Sequence, residues 1–185
     1  MGFIKKAGGN FRPKKSAVQF MVDELAKRDY STRQLTEKLQ SKGYDREEVE
    51  SAIEKVLEWG YLDDRRVAKN FWRFHYEGHR YSVSRIIQKL REKGFAADVV
   101  SEITSDYDDE ALTERDRLVA ERLARARFGG RLAEVVPEDE PGQEETGKGK
   151  NRRPDWQTIA AFLYRRGFSD RVCRQVATEI LQTGG

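Results

Sequence analysis

Three stretches of this 185-residue chain are spelled to one rule. A capping residue opens each, apolar residues follow at helical spacing, and a cation, a glycine and an aromatic close it. The first runs from Ser31 through Leu35 and Leu39 to Lys42-Gly43-Tyr44. The second runs from Ser82 through Ile86 and Leu90 to Lys93-Gly94-Phe95, and the third from Asp155 through Ile159 and Leu163 to Arg166-Gly167-Phe168. Ser31 to Gly43, Ser82 to Gly94 and Asp155 to Gly167 are each twelve positions apart. A glycine past a helix end adopts a left-handed backbone without strain, and the next residue folds back on the residue three before the cap. The expected pairs are Tyr44 with Leu39, Phe95 with Leu90, and Phe168 with Leu163. The preceding cation faces the negative end of the helix, and Gln34 completes a capping box with Ser31.

Each of these helices has apolar-periodic neighbours. Ala17, Met21 and Leu25 precede the first, and Val49, Ile53, Val56 and Leu57 follow Asp45. Val67, Phe71 and Phe74 precede the second, and Val99 and Ile103 follow it. Leu112, Val119 and Leu123 precede the third, and Val172, Val176 and Ile180 follow it. No stretch alternates with period two, so the expectation is an all-α chain without sheet. Three tandem three-helix repeats are expected at 16–62, 63–108 and 109–182, after a flexible basic tail at 1–15. Three short helices bury too little apolar surface to stand alone comfortably. Stacking neighbours complete each core, which predicts an elongated, curved array. The joint between the first two repeats, Gly60-Tyr61-Leu62-Asp63-Asp64, reads as helix, tight corner, helix, with Tyr61 and Leu62 as an apolar plug and Asp63 or Asp64 as the cap. A mobile charged insertion is expected at about 129–153, acidic from Glu134 to Glu145 and basic from Lys148 to Arg153.

Charged residues make up 36% of the chain and apolar residues 37%, a thin core for the surface it covers. Net charge is only +3, so partners are set by local clusters rather than by the whole-molecule field. Cys173 is the only cysteine, which excludes an intrachain disulfide and fits a reducing compartment. No run of about 18 apolar residues exists for a membrane span, and Phe3-Ile4 is too short for a signal peptide. The expectation is a soluble, cytoplasmic monomer.

Catalytic and metal chemistry find little support. Asp63-Asp64 could be paired carboxylates, but a helix cap explains them. His75 and His79 are four apart, as metal ligands on one helix face can be, yet Gly78 interrupts that helix and no further ligand completes the set. Cys173 sits on an apolar helix as a buried thiol. No glycine-rich loop has the strand and helix needed to cradle phosphate. The basic residues carry more information. Arg73, Arg80, Arg85, Lys89, Arg91 and Lys93 cluster in the second repeat, and Arg152, Arg153, Arg165 and Arg166 in the third. Arg85 and Lys89 are expected on the helix face opposite Ile86 and Leu90. Such clusters contact phosphates or acidic protein surface, or simply form a solvated helix face. Tyr76, Tyr81 and Trp156, interleaved among them, can stack on bases or belong to the core. A sequence-specific DNA reader needs one projecting recognition helix, and no repeat is spelled that way.

Gly60-Tyr61-Leu62-Asp63-Asp64-Arg65 through Phe71, the Gly78–Phe95 stretch and Tyr164-Arg165-Arg166-Gly167-Phe168 resemble the signature of the RecX family, over about Ser16 to Ile180. The long charged insertion departs from it. The resemblance implies a non-enzymatic, cofactor-free regulator of the RecA recombinase. It implies binding in the groove of the RecA–DNA filament and suppression of ATP hydrolysis, strand exchange and repressor self-cleavage. The alternative is a general nucleic-acid-binding or architectural helical-repeat protein, which binds DNA without RecA and loses affinity steeply with salt.

Overall fold

The computed structural model describes residues 15–133 and 154–183. The rest of the expected tail and loop, with Arg152 and Arg153, lies outside them. The described residues form nine helices and no strand: α1 (Ala17–Leu25), α2 (Thr32–Ser41), α3 (Arg46–Glu58), α4 (Asp64–Glu77), α5 (Val83–Glu92), α6 (Ala97–Thr104), α7 (Asp109–Ala133), α8 (Trp156–Tyr164) and α9 (Asp170–Thr183). Two compact units divide the chain, Met1–Phe71 with Leu90–Ile103, and Trp72–Lys89 with Thr104–Gly185. The division passes through α4 and α5.

In the first unit, α1 and α2 pack on α3. Met21, Leu35, Leu39, Val49, Val56 and Leu62 form its core. The local code behaves as spelled. Ser16, Ser31 and Asp45 cap α1 to α3, each with a capping box closed by Gln19, Gln34 or Glu48. Gly43, Gly60 and Gly94 all have left-handed backbones, with φ of 88°, 71° and 85°. The Tyr44 N–H donates to the Leu39 carbonyl at 3.3 Å, and Phe95 to Leu90 at 3.2 Å. The two expected plug residues part ways. Leu62 joins the core, whereas Tyr61 is 54% exposed. After the left-handed turn at Gly60 the chain turns back on α3, with the Tyr61 and Leu62 N–H groups both donating to the Val56 carbonyl, and only one of the two side chains enters the core.

In the second unit, α7, α8 and α9 pack on one another. Val119, Phe128, Ile159, Leu163, Phe168, Val176 and Ile180 lie in its core. Asp155 caps α8, and the Phe168 N–H closes on Leu163 behind Gly167, whose φ is 85°. Helix α7 continues through Gly129 and Gly130 to Ala133, past the point where composition places the start of the loop. Phe128 and Leu132, four apart on its buried face, hold that last turn against the core.

One junction is built twice. In the first unit the Ser31 hydroxyl accepts from the Gln34 N–H at 3.2 Å and donates to the Lys93 carbonyl at 2.5 Å. Asp64 accepts from the Thr32 N–H at 2.8 Å and its hydroxyl at 3.1 Å. In the second unit Ser82 accepts from the Arg85 N–H at 3.1 Å and donates to the Gly167 carbonyl at 2.7 Å. Asp116 accepts from the Val83 N–H at 3.0 Å. Thus the serine that caps the central helix of one triplet also ties down the glycine stop of the next. An aspartate from the next triplet's first helix satisfies a further N-terminal donor, a group that no intrahelical bond can reach. A side chain on Gly94 collides with Arg33, and one on Gly167 meets Ser82 and Arg85 at 2.9 and 3.0 Å.

Candidate interaction surface

Eight of the ten cations singled out in the sequence are described. Arg73, Arg80, Arg91 and Arg165 are exposed, while Arg85, Lys89, Lys93 and Arg166 are half-buried. Arg91 and Lys93 belong to the first unit and the other six to the second. The half-buried four are already engaged. Arg85 bonds Gln88 at 2.6 Å and its stem lies beside Gly167. The Lys89 ammonium sits 4.9 Å over the Tyr81 ring, and that of Lys93 5.1 Å over Phe71. The Arg166 guanidinium stacks 3.7 Å from the Phe162 ring and donates to the Phe162 carbonyl at 3.2 Å. Arg85 and Lys89 are therefore not on a free face opposite Ile86 and Leu90. The Arg85 stem lies beside Gly167, and the Lys89 ammonium faces the Tyr81 ring.

The Tyr81 neighbourhood has a counterpart at a shift of 51 positions. In the first unit Lys38 lies 4.9 Å over the Tyr30 ring and bonds the Glu24 carboxylate at 2.5 Å and the Tyr30 hydroxyl at 2.7 Å. Lys27 and Tyr30 also donate to Glu24. Glu24 is 7% exposed. The hydrogen bonds from Lys27, Lys38 and Tyr30 bring its pKa down to about 2, and Glu24 raises that of Lys38. In the second unit His75 holds the position of Glu24, and its ring meets Tyr81 edge-on at 5.5 Å. Phe74 holds the position of Asp23, lies edge-on to His75 at 5.2 Å, and is 74% exposed. The sequence pattern had placed Phe74 on a buried face. Trp72 at full burial takes that role instead, and Phe74, two residues on, points away.

Buried Arg115 fixes this corner. It donates to the Tyr81 carbonyl at 3.0 Å and the Tyr76 carbonyl at 2.7 Å, lies 4.4 Å over the Tyr76 ring, and pairs with Asp116 at 2.9 Å. Burial pushes the Asp116 carboxyl above its usual range against the pull of Val83 and Arg115. His79 has a left-handed backbone with φ of 49°, and its carbonyl accepts from Arg122 at 3.0 Å. Neither Arg115 nor Arg122 stood out in the sequence; both contacts cross more than thirty positions. His75 and His79 thus separate into a ring contact and a strained corner. Asp63 caps α4 through the Arg66 N–H at 2.9 Å, and Asp64 serves α2. Burial raises the Cys173 thiol to about 11, which leaves it a protonated core group. No helix among the described residues is long and apolar enough to cross a membrane.

The fold and its repeated junctions define a tandem array of three-helix domains. Residues 22–55 match the family model described as RecX, first three-helix domain. The regulatory protein RecX of Halorhodospira halophila is 34% identical over 153 residues, which cover 83% of this chain and 81% of that protein. That of Pelodictyon phaeoclathratiforme is 31% identical over 80% of this chain and 86% of its own length. A crystal structure of RecX from Lactobacillus salivarius superposes with a TM-score of 0.60 at 17% identity, covering 90% of this chain and 95% of the other. A second crystal structure of regulatory protein RecX gives 0.62 at 21% identity, covering 88% and 71%. The chain belongs to the RecX family of regulatory proteins.

Proposed function

We propose that this chain is a non-enzymatic regulator of the RecA recombinase. It acts as a monomer of three repeats, 16–62, 63–108 and 109–182, in the cytoplasm. It lies in the groove of the RecA–DNA filament and suppresses ATP hydrolysis, strand exchange and stimulated repressor self-cleavage. Membership of the RecX family carries this reading, and the exposed cations of the second and third triplets support it. Several weak contacts on one chain raise effective affinity for a polymer. A binder that prefers one inter-subunit geometry draws the filament away from its cycling states without any chemistry of its own.

Arg73, Arg80, Arg91 and Arg165 supply long-range charge toward DNA or acidic RecA surface, with Arg85, Lys89, Lys93 and Arg166, and Arg152 and Arg153, as the rest of the basic set. The test is RecA ATPase on single-stranded DNA at moderate salt, with and without this protein. Inhibition well below one protein per RecA is expected, and charge reversal at Arg80 and Arg165 relieves it. An unchanged ATPase at equimolar protein rules the proposal out. Binding to DNA without RecA, abolished by moderate salt and without effect on ATPase, favours the architectural reading instead.

A further inference from the structure

We infer that Phe74, His75, Tyr81 and Lys89 form a stacking and phosphate-contact site for a single nucleic-acid strand. This deepens the proposed contact with filament DNA and rests on that reading only for its biological setting. The inference starts from the two copies of one arrangement. Asp23, Glu24, Tyr30 and Lys38 in the first triplet correspond to Phe74, His75, Tyr81 and Lys89 in the second. Both lysines sit 4.9 Å over their tyrosine. In the first copy the nearly buried Glu24 holds Lys38, and Asp23 forms a surface ion pair with Lys15. In the second copy two aromatic rings replace the two carboxylates.

The replacement leaves a ladder of rings, Phe74 to His75 at 5.2 Å and His75 to Tyr81 at 5.5 Å, with an ammonium over its inner end. Its outer ring is the most exposed of the large hydrophobic side chains among the described residues, at 74%. A solvent-facing phenyl ring offers a flat face, and every base can stack on it whatever its sequence. A lysine ammonium is a compact point charge suited to a phosphate. Exposed Arg73 and Arg80 flank the ladder in the sequence and add sequence-independent attraction. The site is also held in place in advance. Arg115 clamps the carbonyls of Tyr76 and Tyr81, and Arg122 that of His79. Little ordering is then left for the strand to impose.

The test is anisotropy of a labelled short oligothymidylate with the full chain, without RecA, across a salt series. Phe74→Ala is expected to weaken binding about tenfold with an unchanged salt slope, because stacking releases no counterions. Lys89→Gln is expected to weaken binding and flatten the slope by about 0.7, one phosphate contact on a single strand. His75→Glu restores the first copy's arrangement and is expected to lower both affinity and slope. Melting by circular dichroism checks folding, and exposed Phe74 keeps the test valid if His75→Glu fails to fold. Wild-type affinity in Phe74→Ala and Lys89→Gln overturns the inference. So does loss of RecA inhibition in those variants with oligothymidylate binding intact, which assigns the face to protein. Oligothymidylate binding that responds as expected, in a protein without effect on RecA ATPase, upholds the site and removes the RecA proposal instead.

Discussion

The Tyr30 and Tyr81 corners begin alike and finish in opposite ways. Each has a lysine over a tyrosine at the same place between the first and second helices of a triplet. Around Tyr30 a nearly buried carboxylate collects three donors, the Lys27 and Lys38 ammonium groups and the Tyr30 hydroxyl. At Tyr81 a histidine stands at the place of that carboxylate, Arg115 from α7 grips the Tyr81 carbonyl, and Phe74 is 74% exposed. The junctions, by contrast, hardly differ between the two units. Ser31 and Ser82, Asp64 and Asp116, Gly94 and Gly167 do the same jobs, although Ser31 donates to the carbonyl of Lys93 and Ser82 most closely to that of Gly167 itself. A repeat array constrains the residues by which one triplet holds the next and leaves the outward corners free to change. The two corners are therefore where the triplets are expected to differ in task.

The contrast yields experiments of decreasing effect. The largest concerns the shared junction. Gly94→Ala and Gly167→Ala force a side chain into a left-handed backbone and into Arg33 or Ser82, and each is expected to cost about 2–3 kcal/mol. Gly60→Ala has the same strain but open space around it, and about 1 kcal/mol is expected. Equal losses at all three positions in urea unfolding mean that packing at the junctions is not what makes Gly94 and Gly167 special.

Next come the corners. Glu24→Gln strips the anion from beneath Lys38 and is expected to cost roughly 2 kcal/mol, as expected for breaking a charge cluster at a nearly buried site. His75→Gln, at the matching position, is expected to cost less than about 1 kcal/mol. Similar losses at both positions show that the Tyr81 corner is as structural as the Tyr30 corner. Ser31→Ala and Ser82→Ala each delete a cap and a tie to the next triplet, and about 1–2 kcal/mol apiece is expected. A clear difference between the two serines breaks the equivalence of the junctions.

The last experiment reads the Glu24 charge through acid stability. Glu24 has a folded pKa of about 2, below its ordinary value of 4.5. A depressed carboxylate stabilises the fold above its unfolded pKa, and that contribution disappears as pH falls from about 4.5 toward 2. Wild type is therefore expected to lose more stability over this window than Glu24→Gln, read as melting temperature against pH. Parallel curves for the two proteins remove Glu24 from the account.

Much of the fold was legible because its signals are local. A cap, an apolar face and a glycine stop all lie within one helix and its two ends, and every left-handed glycine expected from the spelling has that backbone. Asp63 was legible as a cap for the same reason. The surface was less so. Arg85 and Lys89 read as open charges because helical spacing shows only which way a residue points from its own axis. It does not show that the chain around Gly167 passes beside Arg85, or that Tyr81 lies under Lys89. Phe74 was misplaced because its spacing from Val67 and Phe71 suits a buried stripe, and only packing shows that Trp72 fills that space. One clue was there to be used: sliding the chain by 51 positions sets Phe74 on Asp23 and His75 on Glu24.

By itself the sequence determined that this is a chain of short capped helices in three like triplets, because capping, helical periodicity and the left-handed glycine are properties of neighbouring residues. Tertiary structure alone decided which cations are spent on the protein and which face outward. That choice depends on partners many positions away, such as Arg115 behind Tyr81, and charge is neutralised by whatever lies near it in space.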